Sequence, residues 1–150
     1  MESASERAVK VLNDLIETTL DSAHGYEEAA ETIKDGQLKT MFAERSRRRM
    51  ELGRELQAEV RTFGGEPKDD QSMAGKLHNK FVDLKGAITG GDTKAVINEV
   101  ERGEDVIKGK FEKALSEEDL PTAARDAVSR CYQSIRADHD EVSRMKHSMH

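Results

Sequence analysis

The sequence predicts an all-α protein: four long helices in a bundle, arranged as two antiparallel hairpins joined by a long crossover. Three observations predict it. Charged residues make up 36% of the 150-residue chain and hydrophobic residues 35%, with only 4 Phe, 2 Tyr, 2 Pro and no Trp. Strands draw on the β-branched and aromatic residues that are scarce here, and long helices on the Ala, Leu, Glu, Lys and Arg that are plentiful. Apolar residues recur at spacings of three and four, the pattern of a helix with one buried face. That pattern breaks at Asp35-Gly36, Gly64-Gly65-Glu66-Pro67, Gly90-Gly91-Asp92 and Leu120-Pro121. Gly accepts the left-handed conformation at a helix end and Pro cannot continue a helix, so each break reads as a stop.

The breaks define the elements in order. Helix A, about 5–34, carries a stripe through Leu12, Ile16, Thr19, Ala23, Tyr26 and Ile33; its outer face is acidic and places His24 and Glu28 toward solvent. Helix B, about 37–63, has its stripe through Phe42, Ser46, Arg49, Gly53, Leu56 and Val60. The short A–B connection makes an antiparallel hairpin. A crossover helix, about 72–89 and bearing His78, carries the chain roughly 25 Å back along the bundle. Helix C, about 92–115, takes Asp92 as its cap and has its stripe through Ile97, Val100, Glu104, Ile107 and Phe111. Helix D, about 121–149, starts with Pro121 in its first turn and has its stripe through Val128, Cys131, Ile135, Asp138 and Val142. Residues 1–150 read as one domain, with parallel B and C and parallel A and D.

Composition excludes several functions. No run of 18 apolar residues is present, and the first residues lack the apolar stretch of a secretory signal, so neither a membrane partner nor export is expected. A net charge of −6 without a basic block argues against nucleic acid. Arg45, Arg47, Arg48, Arg49 and Arg54 interleave with Glu44, Glu51 and Glu55, the pattern of a solvated salt-bridge face. The single cysteine, Cys131, excludes an internal disulfide; it lies on a stripe and reads as core. A cytoplasmic location is expected, and the thin apolar supply allows a homodimer. Neither glycine pair builds a phosphate loop, His147 and His150 fall in a fraying terminus, and no catalytic constellation stands out, so the chain reads as non-enzymatic.

Three charges interrupt the stripes: Arg49, Glu104 and Asp138. An unpaired buried charge costs several kcal/mol, so these groups must have partners. Assigning heights along the bundle puts Glu104 and Arg49 near the middle, on helices B and C expected as neighbours, with Asp138 at the level of Ser46 and Tyr26. Glu27, Glu101 and His139 flank the stripes at nearly the same height. Two readings stay open. In the first, Arg49, Glu104, Asp138 and Tyr26 form a buried polar network, with Arg49 supplying the positive charge. In the second, Glu27, Glu101, Glu104 and His139 hold a metal beside it.

The chain also resembles a known group. The stretches L-N-D-L-I-E-T from Leu12, G-Y-E-E-A-A-E from Gly25, F-G-G-E-P from Phe63, A-I-T-G-G-D from Ala87 and E-R-G-E-D from Glu101 resemble a bacterial family of four-helix-bundle proteins without an assigned function. With its crossover and mid-bundle carboxylates, it is similar to the ferritin/rubrerythrin superfamily. That resemblance implies a ferritin-like fold, iron or another divalent metal as cofactor, a possible redox activity, and a stress-related role. The superfamily's di-iron pattern takes one Glu from each of two helices and a Glu-x-x-His from each of the other two. Here Glu27 matches the single Glu of helix A, and Glu101 or Glu104 that of helix C. His139 matches the histidine of helix D, but Arg136 stands three residues before it. Helix B offers Ser46 and Arg49 where Glu and His belong, and its Glu44-x-x-Arg47 points outward.

Overall fold

Ser3 opens the first helix with a reciprocal cap. Its hydroxyl accepts the Glu6 N–H at 3.1 Å, and the Glu6 carboxylate accepts the Ser3 N–H at 3.2 Å, so two amides without helical partners are satisfied at once. The computed structural model describes residues 3–69 and 93–148. These form four helices: α1 (Ala4–Thr32), α2 (Gly36–Thr62), α3 (Thr93–Leu115) and α4 (Thr122–Ser148). The crossover helix expected at 72–89, with His78, and the Asp92 cap lie outside the described residues, as do Met149 and His150.

Asp35 makes the first turn. Its carboxylate accepts the Leu38 N–H at 3.0 Å, so it caps α2, and three residues reverse the chain into the α1–α2 hairpin. At the far end of α2, Gly64 takes a φ of +79°. Its N–H bonds the Arg61 carbonyl at 2.9 Å and the Gly65 N–H bonds the Val60 carbonyl at 3.0 Å, the paired closure of a Schellman motif. The chain then lies back along α1. Asn13 donates to the Glu66 carbonyl at 3.0 Å and accepts the Lys68 N–H at 2.8 Å, while the Lys68 ammonium reaches Glu17 at 2.6 Å. At the α3–α4 turn, the Arg125 guanidinium donates to the carbonyls of Leu115 and Glu117. Pro121 immediately precedes α4, where a missing N–H is harmless.

Ion pairs fix the directions. Arg7, at the start of α1, meets Glu117 beyond the end of α3 at 3.1 Å, and Asp14 meets Lys110 at 3.6 Å; α1 and α3 are antiparallel. Arg45, early in α2, meets Glu141, late in α4, at 2.5 Å; these two are also antiparallel. With α1–α2 and α3–α4 as hairpins, α2 runs parallel to α3, and α1 to α4, as a crossover bundle requires. The arrangement differs from expectation in one respect. Helices α2 and α3 are not neighbours: they face each other diagonally across the bundle axis.

The core is built from Leu12, Ile16, Phe42, Leu56, Ile107, Phe111, Val128 and Ile135. Helix α1 packs on α2 at one side and α3 at the other, so its buried arc extends beyond one stripe to Leu15, Leu20 and Ser22. For that reason His24 and Glu28 are half-buried rather than on an open outer face. Gly53 lets α1 and α2 approach closely, because a Cβ there would stand 2.9 Å from Leu20 Cδ2. Among the described residues no helix is long and apolar enough to cross a membrane.

Candidate functional site

The middle of the bundle is polar because four helices each deliver polar side chains to it. Arg49 of α2 crosses the axis to Glu104 of α3, and both side chains have 0% exposure. The contact is a two-pronged fork: Nη1 donates to Glu104 Oε1 at 2.8 Å and Nη2 to Glu104 Oε2 at 2.9 Å. Such bidentate pairs are among the strongest hydrogen bonds in proteins. Nη1 also donates to Ser22 Oγ of α1 at 2.5 Å, and Nη2 to Asp138 Oδ2 of α4 at 3.3 Å. Burial alone would lower the Arg49 pKa; Glu104, Tyr26 and Asp138 more than offset it and leave it raised. The guanidinium is a permanent cation in the dry centre of the protein.

A second arginine joins it. Arg45 sits one turn earlier on α2 and is 1% exposed, which corrects its assignment to a solvated face. Its Nη2 reaches Glu141 at 2.5 Å and Asp138 at 3.4 Å. Arg48, at the surface, reaches the same Asp138 at 3.2 Å. Both buried guanidiniums lie against the Tyr26 ring, Arg45 at 5.6 Å and Arg49 at 5.3 Å from its centroid, within range of cation–π attraction. Tyr26 is fully buried and tilts against Phe42. Burial, and next the Glu104 carboxylate, hold its phenol well above the ordinary value, so it keeps its proton. Ser46 donates to the Ala23 carbonyl at 2.7 Å and ties α2 to α1 at this level.

The four residues considered as metal ligands do not converge. Glu104 is taken by Arg49. Glu27 is exposed, at the edge of a surface hollow between α1 and α2. Glu101 meets Lys146 at 2.7 Å. His139 has Asp105 2.7 Å from Nε2 and Asp140 3.3 Å from Nδ1. These two carboxylates lie at different edges of the ring, so with it they do not enclose one ion. Burial would lower the His139 pKa, but the bonds to Asp105 and Asp140 outweigh it and raise it. Among the described residues no three His, Cys, Asp or Glu side chains are grouped to hold a metal.

The donor set therefore does not fit a di-iron centre. Three guanidiniums (Arg45, Arg48, Arg49) already face three carboxylates (Glu104, Asp138, Glu141). Added dications would leave uncompensated positive charge in a low-dielectric interior, where it is most costly. Cys131 offers no alternative chemistry: burial, and then Glu55 at 3.6 Å, push its thiol up to about 12.

Sequence reasoning placed Arg49, Glu104, Asp138 and Tyr26 together by phase and height, but missed Arg45 and Ser22. Both carried a usable signal. Arg45 continues the spacing Phe42-x-x-Arg45-x-x-x-Arg49, and Ser22 the spacing Thr19-x-x-Ser22-x-x-x-Tyr26, each the three-and-four step of a buried face.

The fold has clear relatives among solved structures. A mutant of Dps1 from Mycobacterium smegmatis superposes with a TM-score of 0.82 at 12% identity, covering 97% of this chain and 99% of that one. A ferritin-like, diiron-carboxylate protein from Bacillus anthracis gives a TM-score of 0.72 at 14% identity, with 97% and 99% covered. A two-domain protein from Anabaena variabilis, with DJ-1/ThiJ/PfpI-like and ferritin-like domains, gives 0.77 at 15% identity over 99% of this chain and 41% of that one. At such identities the likeness establishes the ferritin-like fold alone. No curated protein sequence matches the chain. One family model does, over residues 7–117, a span that contains α2, α3 and all of α1 but its first three residues, and every network residue except those of α4. The chain is thus a ferritin-like four-helix bundle and belongs to the family described as a domain of unknown function, DUF2383.

Proposed function

We propose that this protein is a non-enzymatic ferritin-like bundle in which an arginine–carboxylate network replaces a mid-bundle metal centre, and which acts by association with other macromolecules in the cytoplasm, in a stress-related role. The observation that supports this reading is the Arg49–Glu104 fork, fully buried on both sides. The guanidinium supplies the positive charge that metal ions supply in diiron-carboxylate bundles, and it does so without redox chemistry or exchangeable ligand positions. A second copy of the chain is the partner we propose first, because the thin apolar supply leaves a single bundle with a narrow core.

Metal content tests the reading. The full chain, purified without a histidine tag and loaded anaerobically with ferrous iron, is expected to retain no stoichiometric metal after desalting at neutral pH. Stoichiometric iron that is lost in Glu101→Ala or His139→Ala would overturn the proposal in favour of a carboxylate–histidine metal site.

A further inference from the structure

The outer edge between α3 and α4 is fastened by contacts of one kind, each with a carboxylate on α3 and a donor on α4. Lys146 Nζ donates to Glu101 at 2.7 Å, His139 Nε2 stands 2.7 Å from Asp105, and the Tyr132 hydroxyl donates to Glu112 at 2.6 Å. The residue numbers rise along α3 as they fall along α4, so these contacts are successive rungs between antiparallel helices. A lysine ammonium keeps its charge and a phenol its proton throughout the neutral range, whereas an imidazole changes charge there. The middle rung is thus the one of the three that can switch. The His139 side chain is only 16% exposed, and it has a second carboxylate, Asp140, 3.3 Å from Nδ1. A neutral imidazole carries one N–H and one lone pair, so only the imidazolium can donate to both carboxylates at once.

The charges that act on this ring come from α3 and α4. Asp105 and Lys108 of α3 and Asp140 of α4 face it, and it acts in turn on Glu112 of α3. The arginines that α2 sends to α4 at this height are held by other carboxylates, Arg45 by Glu141 and Arg48 by Asp138. From α1, Arg7 and Asp14 meet α3 and its end at Glu117 and Lys110. Burial would lower the His139 pKa and Lys108 works the same way, but the bonds to Asp105 and Asp140 outweigh both and raise it. A group whose pKa is higher folded than unfolded gives stability that is fully present below the unfolded value, about 6.5 for imidazole, and is lost as pH rises through the folded one. We propose that His139 is a pH-sensitive fastener of the α3–α4 edge: as imidazolium it ties α4 to α3 through Asp105, and on losing its proton it turns a bare ring nitrogen to a carboxylate, so that this edge loosens between two rungs that hold.

The test follows His139 in the full chain, with EDTA present so that no metal competes for the ring. Imidazole resonances are titrated by NMR, and amide hydrogen exchange is compared at about pH 6 and about pH 8.5 after correction for the intrinsic rates. His139 is expected to titrate above free imidazole, and Asp105→Asn to lower that midpoint. Amides within one turn of His139 and Asp105 should exchange at least about threefold faster at the higher pH, as local opening becomes easier. In His139→Gln that difference should vanish, and amides of α1 should show none in either protein. The proposal is overturned if His139 titrates at or below free imidazole, or if Asp105→Asn leaves its midpoint unchanged. It is equally overturned if exchange at the rung does not respond to pH, or responds as strongly in α1 or in His139→Gln. The titration and exchange of the unaltered chain decide the matter even if a variant loses its fold.

Discussion

Arg47 and Arg49 are chemically identical and two positions apart, and helix phase alone sends one to solvent and the other to the axis. They form a matched pair for measuring what burial does to a charge. Removing one partner of a buried, hydrogen-bonded ion pair strands the other, at about 3–5 kcal/mol. Arg49→Ala is expected to cost that much in urea denaturation, because Glu104 would remain at 0% exposure without its fork. Arg47→Ala should stay within about 0.5 kcal/mol, as exposed substitutions usually do. Arg49→Ala combined with Glu104→Ala should cost less than the sum of the single changes, since contacting residues are not additive. Equal, small effects at positions 47 and 49 would show that Arg49 reaches water. The legibility of this site follows the same physics. Arg49, Glu104 and Asp138 were readable because each interrupts an apolar stripe. Arg45 was not, because it stands in the run Arg45-Ser46-Arg47-Arg48-Arg49, where neighbouring charges hide the phase of any one of them.

At the scale of elements, the helix ends were the most readable feature, because cap chemistry is local. Asp35 before Leu38 and Gly64-Gly65 after Phe63 act within a few residues of chain and stood out as breaks, whereas the Ser3–Glu6 cap, equally local, lay before the expected start of helix A and was not read. Gly64 gives the sharpest test. Its φ of +79° lies where a Cβ crowds the backbone, at about 1–2 kcal/mol for an L residue. Among the described residues nothing stands within 4 Å of the position a Cβ would take, so the penalty there is that of the backbone conformation. Gly64→Ala should therefore lower stability by about 1 kcal/mol in the same denaturation assay, and a neutral outcome would mean that the α2 terminus unwinds without consequence. The Asn13 clasp on Glu66 and Lys68 could not be read in this way. It joins residues more than fifty positions apart, and Asn13 taken alone is one more polar residue on an amphipathic helix.

At the scale of the whole molecule, the crossover topology came from loop lengths, and the height of the polar layer came from topology. What the heights could not give was which helices are neighbours. Parallel α2 and α3 were expected side by side, yet they lie diagonally, and Arg49 bridges the axis between them. A guanidinium on a long stem suits this position: it reaches from one diagonal helix to the other and still presents a planar fork. Because Ser22, Arg49, Glu104 and Asp138 come one from each helix, sliding any helix by a turn would separate charges that water cannot reach.

This has a consequence for the order in which the protein assembles. The α1–α2 hairpin contains both buried arginines, and every carboxylate that neutralises them belongs to α3 or α4. The first half of the chain thus holds cations with no buried counterions until the second half arrives, so it gains nothing by closing its polar centre early. Folding is expected to be concerted across the two hairpins, with the contacts between Arg49 and Glu104 spanning 55 residues of chain and forming late, as long-range contacts do. A fragment ending at residue 69 should show little stable helix by circular dichroism, whereas the full chain should unfold in a single transition with the same midpoint by far-ultraviolet signal and by tyrosine fluorescence. A hairpin fragment that folded cooperatively by itself would show that the network is an addition to a finished structure. Its failure to fold would identify the ionic centre as the point at which the two halves become one cooperative unit.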